Sequence, residues 1–268
     1  MRNHRKVWLV GMALTIALGL TGCSGKETPS TAASLPPAAT LPAESSPTAS
    51  PTPAIAVNVK AEAVLSFANV ASEQRVERMS GGEDSADILL EKPVDGGTII
   101  AYAKPKDAEN VYAQYRTEAA RYELGVVGGL SPKMDDEQLS VTTLELYGRS
   151  LVRINGVFGA NAPVQNYYAL EDDGGIAPFL RVDTGHAQEI DLDGDGTTEI
   201  ISTYGLPTQT YVYAYEDNRF KMADVNAALG ALAVYLGNNG GFEANYELGS
   251  AVAAHYDYTK GMLKLTSM

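Results

Sequence analysis

The chain has 268 residues, 33 of them acidic and 20 basic, for a formal charge of −13, and 45% of it is apolar. That balance repels nucleic acid and anionic lipid headgroups, which excludes both as expected partners; it suits cation binding or plain solubility. One cysteine and three histidines exclude an intrachain disulfide and a thiolate zinc site, and leave little for histidine catalysis.

Arg2, Arg5 and Lys6 precede an apolar run from Val7 to Leu20. The run is too short to span a bilayer comfortably and has the basic-then-apolar layout of a cleavable export signal. Leu20-Thr21-Gly22-Cys23 ends it with small residues ahead of the only cysteine. The segment resembles the lipobox of bacterial lipoproteins, and the resemblance implies cleavage after residue 22 and acylation of Cys23. Residues 1–22 are then a signal peptide, and the protein sits on the extracytoplasmic face of a bacterial cell membrane, held by its N-terminal lipid. Two or three acyl chains anchor stably where one binds only marginally. Loss of the signal takes away three basic groups and no acids, leaving 17 basic and 33 acidic residues and a formal charge of −16.

Residues 23–54 read as a lipid-anchored disordered linker. Its stretch from 24 to 54 holds seven of the thirteen prolines, is rich in Ser, Thr and Ala, and has no aromatic residue. Such a segment cannot bury enough apolar surface to offset its ordering entropy, and at ~3.1 Å per residue it could reach ~90 Å.

Residues 55–268 read as a β-rich globular domain, with a sub-boundary allowed near 130–140. Val57 to Met79, with Val64, Leu65, Phe67, Ala68, Val70 and Ala71, reads as a moderately amphipathic helix. Ile88 to Leu90 and Thr98 to Tyr102 flank a Pro-Val-Asp-Gly-Gly turn, a strand–turn–strand signature. In Asp107 to Leu124 the stripe Val111, Tyr115, Ala119 and Tyr122 favours a helix. Successive hairpins come next: 141–146 with 151–155, 167–171 with 179–182, 200–204 with 210–215, 232–236 with 242–246, and 255–258 with 262–265. Gly156 to Asn166 reads as a loop, and Val225 to Ala231 as a short helix capped by Asp224 or Asn226. No internal repeat stands out, which counts against a regular propeller. The expected fold is α+β, predominantly antiparallel β hairpins with one or two short helices, on a disordered stalk rich in Pro, Ser, Thr and Ala.

Asp191-Leu192-Asp193-Gly194-Asp195-Gly196-Thr197-Thr198-Glu199 is the one constellation with chemistry in it. Carboxylates at alternating positions of a tight loop can converge on a hard cation, while Gly196 permits the turn. Without a cation, acidic groups so crowded repel one another. The reading as a plain turn assigns Asp and Gly to loop geometry alone. An EF-hand would need Glu at the twelfth position, where Ser202 stands, and the residues after Glu199 (Ile200 to Tyr204) read as a strand. Glu189 to Ile201 resembles the strand-flanked calcium loops of the FG-GAP and VCBS repeat families. That resemblance implies side-chain oxygens from Asp191, Asp193, Asp195 and Glu199, and the carbonyl of Thr197, around one calcium. It covers about a dozen residues and occurs once, where those families repeat the loop.

No serine elbow, zinc-protease motif or phosphate loop is present. Asp191-x-Asp193 departs from the haloacid dehalogenase phosphatase motif at its fifth position, Asp195. His186 and His255 read as structural or surface imidazoles. Tyr211, Tyr213 and Tyr215 share a strand face, either as a stacking platform for sugars or peptides or as cover for a sheet. The expected role is a non-catalytic cell-surface binding or interaction module with a structural calcium and a cell-wall or protein partner, its oligomeric state open. The alternatives are a carboxylate-dependent cell-wall or polysaccharide hydrolase and a calcium-dependent envelope sensor.

Overall fold

In the computed structural model, residues 58–71, 74–80, 87–131, 134–159, 161–238, 240–247 and 253–268 are described. The expected signal peptide, Cys23 and the expected linker lie outside them. The described residues belong to one unit, Ala54–Met268.

A short N-terminal segment carries β1 (Glu62–Val64), β2 (Ala68–Asn69) and β3 (Glu77–Arg78). Four antiparallel meanders of four strands each succeed it in chain order. The first is β4 (Asp87–Val94), β5 (Gly97–Lys104), β6 (Asp107–Arg116) and β7 (Arg121–Gly129). The second is β8 (Ser140–Leu146), β9 (Arg149–Phe158), β10 (Ala162–Leu170) and β11 (Ile176–Val182). The third is β12 (His186–Ile190), β13 (Glu199–Tyr204), β14 (Gln209–Glu216) and β15 (Arg219–Asp224). The helix α1 (Val225–Leu229) leads to the fourth: β16 (Ala233–Leu236), β17 (Phe242–Asn245), β18 (Ala254–Thr259) and β19 (Met262–Ser267).

The N-terminal strands dock beside the last strand of three meanders. β1 pairs with β19, β2 with β15 and β3 with β7, all antiparallel. This overturns the helix expected over Val57–Met79. Ala63 and Leu65 are buried while Val64 between them is 72% exposed, an alternation of two that pairing with open sheet edges rewards and a helix does not. The helix expected over Asp107–Leu124 is likewise two strands, β6 and β7. Val111, Ala113 and Tyr115 are all buried, so the face that decides the fold repeats every two residues, and Tyr115 sits on it for that reason. Gly156–Asn166, expected as a loop, is mostly the paired ends of β9 and β10, with Gly156 opposite Val164.

The expected hairpins form with their partners as read. Tyr147-Gly148, Asp217-Asn218 and Lys260-Gly261 join strands with positive φ at both positions, the mirror-image turn whose twist matches that of the strands. Helix α1 is capped as expected: Asp224 accepts from the Ala227 N–H, and Gly230 ends it in the left-handed region. It has five residues and is the only helix among the described residues. The described residues are therefore antiparallel β with one short helix.

Three hydrophobic cores lie between the four sheets. The first joins Ile99, Val111 and Tyr115 to Val152, Ile154 and Tyr168. The second joins Leu151, Tyr167 and Leu180 to Ile200, Tyr213 and Phe220. The third joins Ile201, Val212 and Val225 to Val234, Phe242 and Tyr256, with Ala63 and Leu65 from the N-terminal segment. The stretch 130–140 links the two sheets that share the first core.

The first and second meanders approach closely where Gly128 and Gly156 face each other. A Cβ on Gly156 would run into the Val127 carbonyl and come within 3.1 Å of the Gly128 Cα. Backbone cannot yield as a side-chain tip can. Gly156→Ala is expected to lower stability by at least about 2 kcal/mol in urea denaturation, and a loss below about 0.5 kcal/mol would refute the close-approach account.

Candidate metal centre

Ile190 at the end of β12 pairs with Glu199 at the start of β13, so residues 191–198 form the connection of a hairpin. Gly194 and Gly196 turn the chain with φ of 70° and 86°, a backbone region that side chains rarely adopt. This folding-back gathers the aspartates. Asp191, Asp193 and Asp195 each place one carboxylate oxygen within 4.8 Å of the others, a grouping that could hold a metal ion.

The loop's own amides face the carboxylates. The Asp195 N–H donates to Asp191 Oδ1 (3.1 Å) and Asp193 Oδ1 (3.2 Å), and the Gly196 N–H donates to Asp191 Oδ2 (3.0 Å). The Thr197 N–H donates to Asp195 Oδ1 at 2.8 Å. That bond is the main cause holding the Asp195 carboxyl below its ordinary range, and Lys260 adds to it. Lys260 comes from the β18–β19 turn: its N–H donates to Asp193 Oδ2 at 2.9 Å, and its Nζ lies 3.7 Å from Asp195 Oδ2. Sixty-seven residues separate Lys260 from Asp193, and no spacing in the sequence announces the pair.

Glu199 is not one of that group of three. It is buried, and its Oε2 accepts from the Leu192 N–H at 3.1 Å. Burial, reinforced by the negative charge of Asp193, Asp195 and Asp191, pushes its carboxyl up to about 7, against the pull of that N–H. Thr197 is exposed. The neighbouring Thr198 carbonyl accepts from the Tyr147 hydroxyl at 2.6 Å, which ties the loop to the β8–β9 turn. A cavity of about 420 Å³ borders the loop, lined by Asp193, Asp195 and Glu199 together with Tyr215, Tyr258 and Lys260.

The hairpin that carries the loop is braced from the second meander. Arg153 Nη1 donates to Glu189 Oε1 (2.6 Å) and Oε2 (2.7 Å), and the Tyr167 hydroxyl donates to Oε1 at 2.7 Å. Both ionic side chains are about four-fifths buried. Tyr213 is buried, with its hydroxyl 2.6 Å from Thr184 Oγ1. Tyr211 and Tyr215 pack against the same core, so this face covers a sheet, and Tyr215 also lines two cavities. His186 is exposed at the head of β12, and His255 Nδ1 lies 3.8 Å from Glu243 Oε1.

No family model, no curated protein and no solved structure matches the chain. The site is therefore read from its own geometry. Glu189→Gln removes the charge that Arg153 faces while keeping the shape, and is expected to cost about 2–4 kcal/mol. Thermal unfolding checks it: an unchanged transition would show that the brace contributes nothing.

Proposed function

We propose that the protein is a lipid-anchored, extracytoplasmic binding module whose Asp loop holds a structural calcium ion. Asp191, Asp193 and Asp195 supply the first oxygens. The Thr197 carbonyl and Glu199 complete the shell once the loop tightens. The observation that carries the reading is the convergence of the three aspartate carboxylates on one point between two paired strands. Calcium accepts six to eight oxygen ligands in flexible geometry, which suits a loop of this kind better than the strict octahedron of magnesium. An affinity of ~0.1–1 mM, typical of extracellular modules, makes the ion a permanent clip outside the cell. The anchor at Cys23 and the stalk over 23–54 rest on the sequence alone. They place the domain at the envelope, with a wall component or another protein as its partner.

A second reading, carboxylate-dependent glycan hydrolysis, is favoured by one observation: Asp193, Asp195 and Glu199 share a cavity with Tyr215 and Tyr258. Release of reducing ends from a wall polysaccharide, abolished by Glu199→Gln, would replace the binding reading with this one.

Calorimetry on the full chain in detergent is expected to register calcium binding at millimolar concentration, lost in Asp193→Ala. Moving from chelator to 10 mM calcium should add about 1.4–2.7 kcal/mol of stability by mass action. Absence of calcium heat, or heat unchanged in Asp193→Ala, overturns the metal assignment.

A further inference from the structure

Two hairpin tips from different sheets open on one cavity. Tyr147-Gly148 turns β8 into β9, Asp217-Asn218 turns β14 into β15, and both pairs have positive φ. In each hairpin the first residue after the turn is an arginine, Arg149 and Arg219, paired across its ladder with Leu146 and Glu216. Both arginines line a cavity of about 530 Å³ whose other walls include Phe179, Tyr215 and Phe220. That volume falls within the roughly 300–1,000 Å³ of small-molecule sites.

The cavity is electropositive in an acidic chain. Arg149, Arg181 and Arg219 line it against a single acid, Glu171. Arg181 is engaged: its Nη1 donates to the Val126 carbonyl at 3.3 Å, and its Nε lies 3.9 Å from Asp183. Arg149 and Arg219 are exposed and form no ion pair among the described residues. Glu216, the acid opposite Arg219, is taken by Lys221 at 2.7 Å. Two guanidinium groups thus line the cavity without a carboxylate partner among the described residues, Arg149 with its Cζ 5.9 Å from the Phe179 ring centroid, beside an aromatic wall in which Phe179, Tyr215 and Phe220 pack with ring centroids 4.8–5.3 Å apart.

The geometry points to a site for a carboxylated sugar, a hexuronic acid unit of an acidic glycan, with Arg149 and Arg219 clasping the carboxylate. Guanidinium groups match a carboxylate in planar, bidentate fashion. The aromatic wall offers its apolar surface to the C–H face of a pyranose, a contact that a bare anion cannot use. Asn69 and Asn218, also in the lining, supply amide donors and acceptors for the ring hydroxyls. The net charge of −13 repels an acidic polymer at distance, but screening over ~8 Å at physiological salt leaves the two arginines to decide the contact. This rests on the binding-module reading and gives it a ligand class, yet none of it needs the cation.

The test is calorimetric titration of the full chain in detergent, in the presence of chelator, since oligouronates themselves bind calcium. Trigalacturonate is expected to bind, a neutral galactose trisaccharide at least about tenfold more weakly, and the double variant R149Q/R219Q to lose at least about tenfold in affinity for the acidic trimer. R149K/R219K, which keeps the charge and loses the fork, should fall between, and guards against misfolding of the glutamine variant. Equal affinity for the two trisaccharides, affinity unchanged in R149Q/R219Q, or inorganic phosphate binding as tightly as the trimer would each overturn the assignment. A separate calcium titration on the same protein keeps the two readings apart: trigalacturonate binding without calcium heat sinks the metal alone, and calcium heat without trigalacturonate binding sinks this site alone.

Discussion

Tyr167 and Tyr168 are neighbours in the chain, both fully buried, and they face opposite hydrophobic cores. The same holds for Leu151 and Val152 in β9, Ile200 and Ile201 in β13, and Val212 and Tyr213 in β14. Successive side chains of a strand point to opposite faces, so a sheet covered on both sides needs apolar residues at consecutive positions. The two inner meanders satisfy that need, and each thereby welds the sheet before it to the sheet after it. With their strand faces committed to packing, chemistry is left to the strand ends and turns.

Both candidate sites lie in such places. The Asp loop is the connection of the β12–β13 hairpin, and the arginine-lined cavity is reached from the tips of two others. Tyr147 joins them physically. Its hydroxyl holds the Thr198 carbonyl at the end of the Asp loop, while its ring packs 4.8 Å from Tyr215 and 5.8 Å from Phe220, centroid to centroid. Tyr215 lines both cavities. Order in the loop and order in the aromatic wall therefore share one side chain.

Turn chemistry was the most legible part of the sequence. The hairpins expected from residue 141 onward paired as read, and at Tyr147-Gly148 and Lys260-Gly261 the chain reverses through a backbone that few residues tolerate. The helix expected over Asp107–Leu124 failed because its apolar spacing fits two periods at once. Val111 and Tyr115 are four apart, which suits a helix, but they are also an even number apart, which suits one face of a strand; Ala113 between them is buried too and settles it. The N-terminal segment misled for a different reason: its strands are two or three residues long and exist through the edges of sheets formed far along the chain. Four successive four-stranded meanders, the kind of unit from which propellers are built, left no repeat in the sequence, because the turns differ in length and the inner and outer sheets demand different side-chain patterns.

The amino-acid sequence by itself determined the hairpin turns, the cap on helix α1 and the acidic loop with its glycines, since each depends on residues within a few positions of one another. It also carries the acidic balance and the lipobox resemblance at Cys23. Only the tertiary structure decided that Glu199 is buried and outside the group its three neighbours form, that Lys260 reaches Asp193, and that Arg149 and Arg219 line one cavity. Those relations join residues tens of positions apart, and they exist only because the sheets bury both faces and bring distant turns to common cavities.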